Sequence, residues 1–356
     1  MFYFYTYILI PTFKLKILPS KSYILGIESS CDDTAAAVIC NGKILSNIVA
    51  TQEIHTEFGG VVPELASRAH QQNILPVVHQ ALAKANIDKK DLSAIAFTKG
   101  PGLMGALLVG TSFAKSLAMG LNIPLVSVNH MQAHILAHFI DDKNKKKPKF
   151  PFIALTISGG HTQIVLVKDF FQMEIIGQTL DDAIGEAFDK SAKMLGLDYP
   201  GGPLLDKCAQ NGNPHAFPFT KPKVGPMDFS FSGLKTAVLY FLEKKEKENP
   251  NFIKENMEDI CASIQFTIVD YVMDKLKNAV KETGVTEIAI GGGVSANSGI
   301  RKAMLETQEK YDWKVHIPKL EYCTDNAAMV AMVGQLKYER CIFASNDIVA
   351  NSRLKF

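Results

Sequence analysis

Histidines stand at positions 130, 134 and 138, in the stretch NHMQAHILAH. On a helix, residues four apart share a face, with Cβ atoms about 5–6 Å apart. His130 and His134 can then grip one divalent ion through ring nitrogens, whereas His138 lies a further turn along and is too distant to share it easily. The alternative is a helix face carrying satisfied or exposed imidazoles. A metal needs a further ligand, and Asp325 in CTDNAAM is an attractive one. Two histidines and a carboxylate leave coordination positions open, a set that suits Fe(II) and equally a catalytic zinc. Sequence alone does not bring Asp325 to the histidines. The other histidines (55, 70, 79, 161, 215, 316) show no comparable pairing.

A second group of residues suits a nucleotide. Four glycine-bearing stretches, TKGPGLMG, ISGGHTQ, YPGGP and IGGGVSAN, are each expected to follow a strand. None is a Walker A or GxGxxG fingerprint. A glycine turn ahead of a helix nevertheless exposes backbone N–H groups that suit phosphate. Four such turns point to a nucleotide held in a cleft between domains. Carboxylates lie near them: Asp32 and Asp33 after the first strand, then Asp189 and Asp206. Such acids bind ribose hydroxyls or a cation, or else shape turns and cap helices. Asp182 fits the capping role better.

The elements that must position these groups follow a repeated pattern. Residues 23–50 read as strand, acidic turn, strand, Asn41-Gly42 turn, strand; Asn-Gly between apolar runs is a strong hairpin signal. Residues 64–86 read as a helix kinked or broken by Pro76, 93–98 as a buried strand, and 123–128 as another, with Asn129 capping the histidine helix. The charge run DDKNKKKPK (141–149) is the best boundary and reads as a solvated linker. Then FIALTISGGHTQIVLVK (152–168) echoes 24–40, with Gly-Gly in place of Asp-Asp. Residues 181–197 and 258–282 read as helices, 286–305 as strand, glycine loop and helix, and TDNAAMVAMVGQLKY as a final helix. Duplicated α/β lobes result: 23–140 with 323–356 as the N-terminal lobe, 141–322 as the C-terminal lobe, and 1–22 as a disordered or loosely docked extension.

Composition narrows the class. With 356 residues, 47% hydrophobic and 21% charged, the chain can bury a substantial core in two domains. The net charge of +2 removes any global polybasic signal, and arginine occurs only at 68, 301, 340 and 353. Phosphate contacts would therefore rest on lysine as a point charge. Six cysteines without a CxxC pair suggest a reduced, cytoplasmic protein. The apolar start, MFYFYTYILIPTF, is too short to span a bilayer and lacks the charged face of an interfacial helix, so no membrane is expected.

In order along the chain stand GIESSCDDT, FGGVVPELASR, GPGLMGALLVG, HMQAH, ISGGHTQ, DDAIGEAFDK, LGLDYPGGP, DFSFSGLKT, GGGVSAN and CTDNAAM. Together, from about residue 23 to 334, they resemble the TsaD-type family of tRNA threonylcarbamoyladenosine transferases, in its bacterial or organellar branch. The resemblance implies the fold of actin, Hsp70 and sugar kinases: two ribonuclease-H-like lobes around a cleft. It implies transfer of a threonylcarbamoyl group from threonylcarbamoyl-AMP to N6 of the adenosine just 3′ of the anticodon, in tRNAs reading codons that begin with A, with release of AMP. It makes His130, His134 and Asp325 the ligands of one Fe(II) or Zn(II) ion. Thr156, Ile157, Ser158, Gly159 and Gly160 become the loop around the phosphate and carbamoyl end. Asp189, Gly202, Asp206 and Asn297 become further contacts to the adenylate, and Asp33 a catalytic carboxylate. Implied partners are tRNA, a TsaB-like inactive paralogue and a TsaE-like P-loop ATPase. Lysines of the 143–149 run, or Lys244, Lys245 and Lys247, are candidate tRNA contacts.

Three positions depart from the family's commonest pattern: Asp33 where glutamate is usual, Gln132 where glutamate is frequent, and Lys99 ahead of GPG where alanine is common. Two rival readings share the expected fold: a small-molecule kinase and a non-catalytic scaffold. A zincin-type protease needs H-E-x-x-H with glutamate as base; here Met131 follows the first histidine, and Gln132 cannot take a proton.

Overall fold

The computed structural model describes residues 21–142 and 145–356. The expected N-terminal extension therefore lies, apart from Lys21 and Ser22, outside the described residues, as do Lys143 and Asn144.

Two five-stranded sheets repeat one topology. The first holds β1 (Tyr23–Glu28), β2 (Thr34–Cys40), β3 (Lys43–Ala50), β4 (Leu92–Gly100) and β5 (Leu125–Asn129), in the order β3-β2-β1-β4-β5. The second holds β6 (Phe152–Ile157), β7 (Thr162–Asp169), β8 (Gln172–Gln178), β9 (Glu287–Gly291) and β10 (Lys314–His316), in the order β8-β7-β6-β9-β10. In each, the first three strands form an antiparallel meander and the last two run parallel to the first. The Asn41-Gly42 turn has positive φ at both residues, 47° and 84°, the twist that joins two neighbouring antiparallel strands tightly.

The helices are α1 (Pro63–Ala85), α2 (Met104–Leu121), α3 (His130–Leu136), α4 (Ile184–Met194), α5 (Gly201–Ala209), α6 (Ser232–Glu248), α7 (Phe252–Glu255), α8 (Met257–Thr283), α9 (Ser298–Tyr311) and α10 (Ala327–Tyr338). Pro76 does not break α1. It faces solvent, so the carbonyl deprived of its N–H partner is on the wet side of the helix. YPGGP follows α4 rather than a strand, which corrects the expectation for that loop. By length and composition α2 is apolar enough to cross a membrane; here it packs against α1 and β4.

One hydrophobic cluster passes beneath both lobes. It joins Ile24, Ala94 and Val126 of the first sheet to Phe152, Val165 and Ala289 of the second, through α3 and α10. α10 is apolar almost all round and almost wholly buried, as such a helix must be. The described residues therefore start and finish in the first lobe. Beyond α10 the C-terminal segment straps that lobe: Ala344 N–H donates to Leu125 O, Asn351 N–H to Lys99 O, and Gly102 N–H to Ser352 O. Gly102 also lies against Ser30, with φ +156° and no room for a Cβ, so the GPG loop is clamped between Ser30 and the strap. The 145–149 segment is not a loose linker, because Lys146 O accepts from His316 Nδ1 (3.1 Å) and Lys149 N–H donates to Glu287 (2.7 Å).

Candidate functional site

The histidine helix is set at its first residue. Asn129, ending β5, accepts from the backbone N–H groups of Met131 (2.9 Å) and Gln132 (3.2 Å), satisfying two N–H groups a helix start leaves free. Its amide nitrogen donates to Lys355 O (3.1 Å), so the strap holds the cap. At the far end, Gly291 lets β9 approach the His134 carbonyl closely.

His130 and His134 then project together, rings edge-on with centroids 4.7 Å apart. Their Nε2 atoms are 3.2 Å apart, and Asp325 Oδ1 lies 3.2 Å from one and 3.4 Å from the other. Asp325 is delivered by the turn into α10, whose cap, Asn326, accepts from Met329 N–H (3.0 Å). Thus His130, His134 and Asp325 converge, and His138 does not. It sits one turn on, its Nε2 donating to Ile290 O (2.8 Å), and burial pushes its pKa down to about 4.

These three donors fit a divalent cation. With ligand bonds near 2.1 Å, donors sit roughly 3.0 Å apart at adjacent octahedral positions and roughly 3.4 Å apart in a tetrahedron. The observed 3.2–3.4 Å spacing spans both. Once His130 gives up its proton to the incoming ion, two imidazoles and a carboxylate also match the donor preference of Zn(II) or Fe(II).

Glu28, at the end of β1, is fully buried behind this trio and was not singled out by the sequence. It accepts from Ser30 N–H (2.5 Å), Thr98 Oγ1 (2.6 Å) and His130 Nδ1 (3.2 Å). A carboxylate on Nδ1 fixes the tautomer and leaves Nε2 to face the metal position. Burial works to raise the Glu28 carboxyl, but the charge and hydrogen bond of His130 outweigh it and hold it low. Asp325 is likewise held low by both histidines against the effect of burial. His130 is raised well above the usual range, because Asp325 and Glu28 overcome its burial, while burial lowers His134.

Asp33 borders the same space. Its Oδ1 is buried and, among the described residues, has no hydrogen-bond partner. Burial, then the charges of Asp325 and Asp32, push its pKa up to about 7. His161 is pushed down to about 4 by burial and then by His130 and His134, so it is neutral near pH 7.

The residues expected around a nucleotide fall into two groups. Thr156 and Ile157 are buried within β6. Ser158 N–H is already spent on His161 O (2.8 Å) within the turn itself, so it is not available to a phosphate. Gly159 and Gly160 are exposed, and among the described residues their amides donate to no protein group. Asp189 accepts from Gly202 N–H (2.8 Å) at the start of α5, and burial is the main cause of its raised pKa. Asp206 accepts from Ser298 N–H (2.9 Å) and from Gln265 Nε2 (3.0 Å), while Gln265 Oε1 accepts from Asn297 Nδ2 (2.8 Å). Gln265, a polar residue that the pattern of α8 did not single out, therefore ties Asp206 to Asn297. Beside them a cavity of about 680 Å³ opens between α8 and α9, lined by Phe266, Val269, Ser298 and Gly299.

Comparison with known proteins gives concordant results. The family model described as TsaD: tRNA N6-adenosine threonylcarbamoyltransferase matches residues 43–332. A tRNA N6-adenosine threonylcarbamoyltransferase of Christiangramia forsetii is 69% identical over 336 residues, covering 94% of this chain and 99% of that protein. One from Riemerella anatipestifer is 63% identical over 333 residues, covering 94% and 98%. Among solved structures, full-length HypF in its phosphate- and nucleotide-bound form aligns with a TM-score of 0.58 at 13% identity, over 91% of this chain and 47% of that one. The (R)-2-hydroxyglutaryl-CoA dehydratase component A of Acidaminococcus fermentans aligns with a TM-score of 0.52 at 15% identity, over 90% and 98%. At such identities these structures speak for the fold alone, and they agree with the two-lobed actin and sugar-kinase architecture expected from the sequence.

Proposed function

The chain belongs to the TsaD family of tRNA N6-adenosine threonylcarbamoyltransferases, and from that premise we propose how its residues divide the work. It is an acyltransferase that forms threonylcarbamoyladenosine in tRNA. The donor we assign is threonylcarbamoyl-AMP, and the acceptor is N6 of the adenosine 3′ of the anticodon in tRNAs reading codons that begin with A. N6 attacks the carbamoyl carbon, the bond from that carbon to the phosphate oxygen breaks, AMP leaves, and N6 gives up a proton.

The observation that carries this assignment is the convergence of His130, His134 and Asp325 beside Asp33. An exocyclic adenine amine is a weak nucleophile, so the carbonyl has to be activated. A Zn(II) or Fe(II) ion held by His130, His134 and Asp325 supplies Lewis acidity to that end when bound. Asp33 takes the proton that N6 loses; a carboxyl titrating near 7 is matched to that task. The free amides of Gly159 and Gly160 face the phosphate or the developing oxyanion. Asp206 and Asn297, held in register by Gln265, and Asp189 with Gly202 position the adenylate, with its base toward the cavity between α8 and α9. The mixed anhydride brings its own leaving group, so positioning and electrostatics suffice.

Further elements of the reading follow from the family resemblance: a TsaB-like paralogue and a TsaE-like ATPase as partners, and a cytoplasmic site of action, which suits six free cysteines. The test is a nucleoside mass assay with unmodified tRNA, threonine, bicarbonate, ATP, the synthase and partner proteins. Wild type yields threonylcarbamoyladenosine, and His130→Ala yields little. No product from wild type with demonstrably active partners would reopen the kinase and scaffold readings. Equal product from both proteins would make the histidine pair structural.

A further inference from the structure

We propose that the lysine-lined cavity alongside β10 is a binding surface for the phosphate backbone of the tRNA; this rests on the transferase reading. The cavity measures about 1100 Å³ and is walled by Lys145, Lys146, Lys147 and Lys149 on one side and Lys314 and Lys319 on the other. Against its six lysines stand four acidic lining residues, Asp142, Glu287, Glu309 and Asp312, and the first two are engaged. Asp142 pairs with Lys319 (2.9 Å), and Glu287 accepts from Lys149 N–H (2.7 Å) and His316 Nε2 (3.0 Å). The ammonium groups of Lys146 and Lys149 are exposed and, among the described residues, have no carboxylate within 4 Å. They are cations positioned for a partner the chain itself does not provide.

The competing lysine group does not have this character. Lys244, Lys245 and Lys247 alternate along α6 with Glu243, Glu246 and Glu248, and Lys245 is committed to Glu248 (2.8 Å) and to the face of Phe252. Its local charge sums to zero, whereas residues 145–149 carry four lysines in five residues on a chain whose net charge is only +2.

Reach favours the same surface. Ala137, His138 and Ile140, just beyond the end of α3, line the cavity, while His130 at its start belongs to the metal trio. Eight residues at about 1.5 Å each separate the two by ~12 Å along the helix axis, a short span beside the stem and loop of a tRNA. Lysine, a flexible point charge, suits sequence-independent backbone contact rather than base reading.

The experiment compares Lys146→Gln/Lys149→Gln with wild type, using unmodified tRNA titrated at several salt concentrations and steady-state kinetics. The double variant is expected to bind tRNA about tenfold more weakly. Its plot of log affinity against log salt should flatten by about 2, one unit per lost phosphate contact. KM for tRNA rises, while kcat and KM for the adenylate stay put. Lys146→Arg/Lys149→Arg restores binding, and Lys244→Gln/Lys247→Gln leaves it unchanged. Wild-type affinity and salt slope in the glutamine variant, with product still formed, overturn the surface while leaving the transferase reading intact. Unchanged tRNA binding with loss of a partner protein also overturns it and assigns the lysines to an acidic protein face. No product from wild type strikes the transferase reading itself.

Discussion

Replacing Asp33 by asparagine should cost the enzyme its activity and make its metal-free fold more stable. The Asp33 carboxyl titrates near 7 in the fold against an ordinary 3.8, raised by burial and then by Asp325 and Asp32. A proton bound more tightly in the fold than in the unfolded chain stabilises most fully below pH 3.8, and that contribution is lost as pH rises through about 7. At 1.36 kcal/mol per unit, the ionised carboxylate costs roughly 2 kcal/mol at pH 5.5 and at most about 4 kcal/mol above pH 7. Asparagine keeps the shape and carries no charge, so Asp33→Asn should exceed wild type in stability by that amount, with the gap widening by about 2 kcal/mol from pH 5.5 to 8. Urea unfolding of chelator-treated protein across that range measures it, and the product assay measures the activity. Adding Zn(II) should narrow the gap, because a cation beside Asp325 offsets the repulsion. A pH-independent gap, or a variant less stable than wild type at pH 8, would refute the placement of Asp33 against these charges.

Two other outcomes test the supports of the site. Glu28→Gln should weaken Zn(II) binding about 10–100-fold, the usual cost of losing an outer partner of a ligating histidine, as read by competition with a chromophoric chelator; an unchanged affinity would show that His130 needs no carboxylate behind it. Gln265→Ala should destabilise the fold by about 1–3 kcal/mol through its stranded partners and raise KM for the adenylate with kcat little altered; thermal melts and initial rates separate these, and an unchanged KM would detach the Asp206–Asn297 network from the nucleotide.

What the sequence made legible tracks how local each signal is. The duplicated strand–turn–strand pattern and the Asn41-Gly42 turn were readable because alternation and turn chemistry act over a few residues. The His130–His134 pair was readable for the same reason. Asp325 was not: 191 residues separate it from His134, and only the family resemblance brought them together. Glu28 was overlooked because it ends an apolar strand beside the more conspicuous Asp32 and Asp33; its role appears only when β4 and α3 close over it. Gln265 looks like any polar residue on an amphipathic helix until α5 and α9 supply its partners. The YPGGP turn was misplaced because glycine and proline mark a turn without saying whether a helix or a strand precedes it. The 141–149 run looked solvated because its charges are exposed, whereas the backbone of Lys146 and Lys149 docks on β10 and β9.

The return of the chain to its starting lobe has a bearing on biosynthesis. The first lobe lacks α10, one wall of its core, until residues 327–338 are made, and Asp325 arrives just ahead of that helix. From residue 140 to residue 338 a ribosome working at 5–20 residues per second needs about 10–40 s. For that interval β1–β5 wait with an apolar face uncovered, and His130 and His134 wait without their carboxylate. A nascent chain or a truncated product that stops before α10 lacks that wall of the core, and one that stops before residue 325 lacks the carboxylate that joins the two histidines.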